Sequence, residues 1–168
     1  MNKEILIRMG ELAVARGNAL ITTGGIGSCL AIIAYDPESK VGGMAHAMLP
    51  QRNPEPNAEV LDRIVGRYDK RSLDSKYVDE AIYKLVQEVE MTGAKKENLE
   101  IKLVGGARMF QSLSKYKNGG VGQENLEVAK KTLAKLKLPI RSQDVGGNIG
   151  KIVKFNLNNG LVRIITKI

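Results

Sequence analysis

The chain has no tryptophan, two phenylalanines, five prolines, one cysteine and one histidine in 168 residues. Each shortage excludes something. A single cysteine cannot close an internal disulfide. One cysteine and one histidine cannot fill a zinc site without carboxylates at suitable spacing, so no metal or other cofactor is expected. Two phenylalanines and no tryptophan make a poor platform for stacking bases, and no helix-turn-helix, zinc-finger or RNP-type motif is present. The net charge of +8 therefore reads as a solvated basic surface that favours acidic partners, with no nucleic acid implied. No window approaches the roughly 20 apolar residues a membrane span needs. The start, MNKEILIRMGELAVA, is broken by Glu4, Arg8 and Glu11 and does not read as a signal peptide. The expectation is a cytoplasmic protein without membrane insertion, its lone thiol kept reduced.

With 43% hydrophobic and 26% charged residues the composition is that of a globular chain. Length, together with the lack of a linker or repeat, predicts one domain over residues 1–168. After a short strand-like start, NALITT (18–23) leads into the glycine-rich GGIGS. CLAIIAY (29–35) and VGGMAHAML (41–49), joined by DPESK, read as a β-hairpin. Residues 51–74 are polar with two prolines and read as a long loop containing a short helix. Residues 76–91 carry an apolar stripe at helical spacing, with Ser75 as a cap and Gly93 past the end. A strand is expected at 99–106, and a second helix over 124–137 turns Leu126, Ala129, Leu133 and Leu136 inward and its lysines outward. Then come a strand and turn in LPIRSQDVGG and two strands joined at Asn158-Asn159-Gly160. Two helices among many strands make an α+β fold.

Cys29 and His46 lie on the two arms of the first hairpin. If Tyr35 faces Val41, Leu30 pairs with His46 and Cys29 with Ala47. A one-residue shift, with a tight turn at Pro37 and Glu38, sets Cys29 directly opposite His46, and a bulge at Gly42-Gly43 would supply that shift. Two readings of the pair stand. One is a buried thiol and a core imidazole. The other is a nucleophile and its proton carrier, in which an imidazolium neighbour favours the thiolate. The glycines before Cys29 favour the second. Backbone N–H groups around Gly27 and Ser28 precede the strand, where they can hold an oxyanion and let a substrate approach closely. GGIGS lacks the Lys-Ser/Thr ending of a phosphate loop and leads into a strand.

GIGSC followed by a strand, then YDPESKVGGMAHAMLP, LVGGARMF and DVGGNIGKIVKFNLNNG, resemble the chemoreceptor glutamine deamidases, the CheD family, in the same order from about residue 5 to residue 165. The spacing of Thr23, Cys29 and His46, five and then sixteen residues between them, is part of the resemblance. The resemblance implies Cys29 as nucleophile, His46 as general base and acid, and Thr23 as the third member that orients the imidazole. It implies a layered sandwich of mixed β-sheets with two main helices packed outside, similar to the cysteine deamidase domain of certain bacterial toxins. The implied reaction converts glutamines of methyl-accepting chemotaxis receptors to glutamate, and the implied partner is a CheC-type phosphatase. An alternative is a regulatory binding module for such a phosphatase, with little catalysis. Three departures stand out: Gly24-Gly25-Ile26-Gly27 in place of Leu-Gly-Leu-Gly, Glu124 in place of an arginine before Asn125, and an unmatched loop at 51–74.

Overall fold

A computed structural model of the protein describes residues 2–52, 73–109 and 120–166. Nine strands and two α-helices are found among them: β1 (Lys3–Leu6), β2 (Leu12–Arg16), β3 (Ala19–Ile26), β4 (Leu30–Asp36), β5 (Val41–Ala47), α1 (Val78–Thr92), β6 (Glu100–Gly105), α2 (Val121–Lys135), β7 (Ile140–Val145), β8 (Lys151–Asn156) and β9 (Val162–Thr166). One sheet runs β1-β3-β8-β9 and the other β2-β5-β4-β6-β7. Both are mixed, since β1 lies parallel to β3 and β6 parallel to β7 while the other pairs are antiparallel. The expected α+β class is what the chain adopts.

The apolar run of β4 is explained by its position. All seven of its residues are buried, because one face meets the second sheet and the other meets the helices. Ala31, Ile33 and Tyr35 join Met44, Ile21, Val153 and Phe155 between the sheets. Leu30, Ile32 and Ala34 join Ile82, Leu85, Val89, Leu126 and Leu133 on the helical side. The layers are sheet, sheet, helices. Strand β8 covers only one such interface, and its burial alternates accordingly.

The hairpin register differs from both expected alignments. Asp36 pairs with Val41, Tyr35 with Gly42, Ala31 with His46 and Leu30 with Ala47. The turn is set by Asp36, whose Oδ1 accepts the N–H groups of Glu38 and Ser39 and whose Oδ2 accepts that of Lys95. Lys40 closes the turn at φ 54°. The ladder is unbroken through Gly42-Gly43, so no bulge lies there. Those glycines answer to packing: a Cβ on Gly43 would stand 2.7 Å from the Ala13 carbonyl oxygen and 2.8 Å from Leu85 Cδ1. The bulge occurs instead in β3 at Gly24-Gly25, where pairing with β8 shifts between Thr23 and Ile26.

Helix α1 starts later than expected. Tyr77 is its N-cap, without a side-chain cap bond, and Ser75 Oγ donates to the Gly10 carbonyl instead of capping the helix. Gly93 ends it in the left-handed conformation, φ 119°. Helix α2 begins three residues before the expected 124 and ends two before 137. It starts early because Gly122 fits against the Gly106–Ala107 turn, where a Cβ would lie 2.4 Å from the Ala107 carbonyl oxygen. The expected strand at 99–106 and the Asn158-Asn159-Gly160 hairpin are present as β6 and as β8–β9. Most of the loop expected at 51–74 lies outside the described residues.

Replacing Gly43 by Ala should cost about 1–3 kcal/mol, the usual penalty for overpacking. Gly150, with nothing within 4 Å of its Cβ direction, should tolerate Ala within about 0.5 kcal/mol. Urea unfolding of the two variants checks the ranking.

Candidate active site

Strand parity brings the single thiol and the single imidazole to one face. Ala31 stands opposite His46, and Cys29 is two residues before Ala31 on the side that faces the second sheet. Cys29 and His46 therefore lie diagonally across the end of the hairpin. They are not directly opposed. Within the described residues no hydrogen bond joins them, and His46 Nε2 is buried without a partner.

Thr23 reaches the same space from the other sheet. Its inward alternation on β3 buries it fully, and its Oγ1 lies 2.7 Å from His46 Nδ1 and 2.9 Å from the Ile7 carbonyl oxygen. A carbonyl only accepts, so the one hydroxyl proton of Thr23 goes to Ile7. Thr23 Oγ1 must then accept from Nδ1–H. This places the ring proton on Nδ1 and leaves Nε2 with a free lone pair. The backbone of His46 is held by the segment between β1 and β2: His46 N–H donates to Glu11 O at 2.9 Å, and Gly10 N–H donates to His46 O at 2.8 Å.

Of the expected oxyanion donors, Gly27 is already engaged, its N–H donating to Gly25 O at 3.1 Å. The N–H groups of Ser28 and Cys29 donate to no backbone acceptor among the described residues. The carbonyls of this loop are tied down. Gly27 O accepts from Ala107 N–H, Cys29 O from Gly106 N–H, each at 2.9 Å, and Ser28 O from Asn125 Nδ2. Carbonyls drawn inward leave the following N–H groups turned the other way. A side chain at Gly27 would stand 2.9 Å from Met109 Cγ, so the methionine, 40% exposed, packs directly over this turn.

Burial governs the electrostatics. It pulls the His46 imidazole from 6.5 down to about 4. It also pushes the Cys29 thiol up, against a smaller opposing effect of the residue's own backbone N–H. Burial thus favours the neutral form of each group, thiol and imidazole. Ile7, Gly106 and Asn125 were not recognised from the sequence as parts of this site. Asn125, next to the departure at Glu124, and Gly106, within LVGGARMF, carry a local signal; Ile7 carries none.

Comparison with known proteins follows the same lines. The family model described as CheD chemotactic sensory transduction matches residues 48–166. A protein of Pyrococcus horikoshii named "Probable chemoreceptor glutamine deamidase CheD" is 38% identical over 162 residues, 96% of this chain and 91% of that one. Two proteins named "Chemoreceptor glutamine deamidase CheD" are similarly close. The one from Thermotoga maritima is 39% identical over 92% of this chain and 87% of its own length. The one from Halalkalibacterium halodurans is 37% identical over 93% of this chain and 89% of its own.

The buried imidazole makes stability depend on pH with a definite sign. Between pH 6.5 and 4 the unfolded chain binds a proton at His46 that the folded chain does not, so stability falls as pH falls. His46 should contribute about 2–3 kcal/mol of acid destabilisation between pH 7 and 4.5. Urea unfolding at both pH values, compared with His46→Gln, isolates it: the variant should lose less stability on acidification than the wild type.

Proposed function

Because the chain belongs to the CheD family, we propose that it is a chemoreceptor glutamine deamidase that converts receptor glutamines to glutamate with release of ammonia. The observation that carries the mechanism is the Thr23–His46 hydrogen bond, which leaves a buried Nε2 lone pair on the face of the sheet that bears the only thiol. On this reading residues 1–168 form a single cytoplasmic deamidase domain. We infer a fold similar to the cysteine deamidase domains of certain bacterial toxins, a reading that the sheet, sheet, helix layering supports.

The chemistry follows from the neutral pair. A primary carboxamide is a weak electrophile with a poor leaving group. As Cys29 Sγ attacks the glutamine Cδ, His46 Nε2 takes the thiol proton, so the thiolate forms only as the C–S bond forms. The developing oxyanion is received by the N–H groups of Ser28 and Cys29. The imidazolium is stabilised through Nδ1–H by the Thr23 hydroxyl. It then returns its proton to the departing amine, and the C–N bond breaks to give ammonia and a thioester. Water, deprotonated by His46, attacks the thioester carbonyl and the C–S bond breaks, yielding glutamate and the free thiol. Thr23 carries no charge, so its contribution is smaller than that of a carboxylate in the same place.

A CheC-type phosphatase is the proposed regulatory partner. A cavity of about 630 Å³ beside the end of β5, lined by Leu49, Pro50, Val128, Glu124, Glu127 and Lys131 among others, offers a surface for it. Glu124, which stands where the resemblance implies arginine, lines this cavity.

Mass spectrometry of a receptor cytoplasmic fragment tests the proposal, a gain of about 1 Da at glutamine being the product signature. Cys29→Ala should abolish the gain while the variant still folds. An active Cys29→Ala protein would exclude the mechanism.

In single-turnover assays, His46→Ala should slow deamidation at least ~10² fold, since both proton transfers are lost. Thr23→Val should slow it less, because only orientation is lost. The reverse order would show that Thr23 is misassigned.

A further inference from the structure

The hairpin that carries Cys29 and His46 comes apart at the site. Leu30 and Ala47 are its last ladder pair, and Cys29 and Met48 would be the next. Each arm turns to another neighbour at this point. Met48 and Leu49 N–H both donate to Lys76 O, at 2.8 and 3.0 Å, while Cys29 O and Gly27 O receive Gly106 and Ala107 N–H. The side chain of Asn125 on α2, fully buried, bridges the parted arms. Its Nδ2 donates to Ser28 O at 2.9 Å and to Met48 O at 3.1 Å.

These two bonds orient the amide, because both partners are carbonyls and accept only. Their cost is visible on the other side of the group, where Asn125 Oδ1 is buried with no partner among the described residues. A buried orphan acceptor is destabilising by about 1–3 kcal/mol. The arrangement nevertheless ties the residue immediately before the thiol to the residue two places after the imidazole. Nothing in the ladder beyond Leu30 and Ala47 sets that spacing.

We propose that Asn125 is a positioning residue that replaces the missing ladder pair and sets the distance between Cys29 Sγ and His46 Nε2. It touches neither reacting atom and acts through the two backbone carbonyls. Its activity readout rests on the deamidase reading, whereas a second readout, alkylation of the sole thiol, does not.

The test compares Asn125→Ala, and Asn125→Ser, which retains a single donor, with Leu133→Ala, a core residue of the same helix away from the site. With a receptor fragment as substrate, Asn125→Ala should lower kcat at least tenfold with KM within about threefold. Leu133→Ala should cost comparable thermal stability and leave kcat within about twofold. Iodoacetamide alkylation of Cys29 at pH 7 should change at least fivefold on Asn125→Ala in the wild-type background, and less than twofold in His46→Ala, since the effect is transmitted through the pair. Additive alkylation effects, or a kcat loss that merely tracks the melting temperature across all three variants, would overturn the proposal. If Asn125→Ala does not fold, Asn125→Ser is judged by the same criteria. Failure of the wild type to deamidate any receptor glutamine would refute the deamidase reading alone, and the alkylation cycle would still decide the role of Asn125.

Discussion

An imidazole buried completely between two β-sheets needs a partner for its N–H, and here the partner comes from the opposite sheet. The 2.7 Å contact between His46 Nδ1 and Thr23 Oγ1 spans the apolar layer formed by Ile21, Ile33, Met44 and Phe155. It requires that β3 and β5 hold a fixed separation and that Thr23 and His46 both alternate inward. It also requires an acceptor for the Thr23 proton, supplied by Ile7 at 2.9 Å. The segment that provides Ile7 continues into Gly10 and Glu11, which hold the backbone of His46. One short connection between the sheets thus fixes both ends of the contact.

The electrostatic state follows from the same burial. Removing His46 and Cys29 from water disfavours both charged forms, which lowers the imidazole and raises the thiol. At rest the pair therefore carries no charge. A permanently ionised thiol would be exposed to oxidation and alkylation. A neutral thiol, 9% exposed, reacts more slowly in both.

Glycines concentrate where chains must meet closely. Gly105, at φ 117°, leaves no room for a Cβ, which would lie 2.2 Å from the Cys29 carbonyl oxygen. Gly122 lets α2 approach the Gly106–Ala107 turn, and from that approach Asn125 reaches Ser28 and Met48. The helix is thus both a cover for the core and a support for the loop that bears the thiol.

Apolar periodicity was sufficient to read most of the strands, though not β2 (Leu12–Arg16) as a strand of its own, together with the two helices and the α+β class, because burial on one face or two leaves a direct imprint on composition. Rarity drew attention to Cys29 and His46, and the family resemblance added Thr23. What the chain alone left open was register and partnership. A hairpin of continuous apolar residues has no polar face to report its alignment, so the turn at Asp36 decided it. The committed N–H of Gly27, the Ile7 carbonyl that orients Thr23 and the amide of Asn125 are contacts between segments 16 or more residues apart, or turn geometry set by such contacts. They depend on backbone atoms that every residue shares, and only the packing of the two sheets and α2 brings them together.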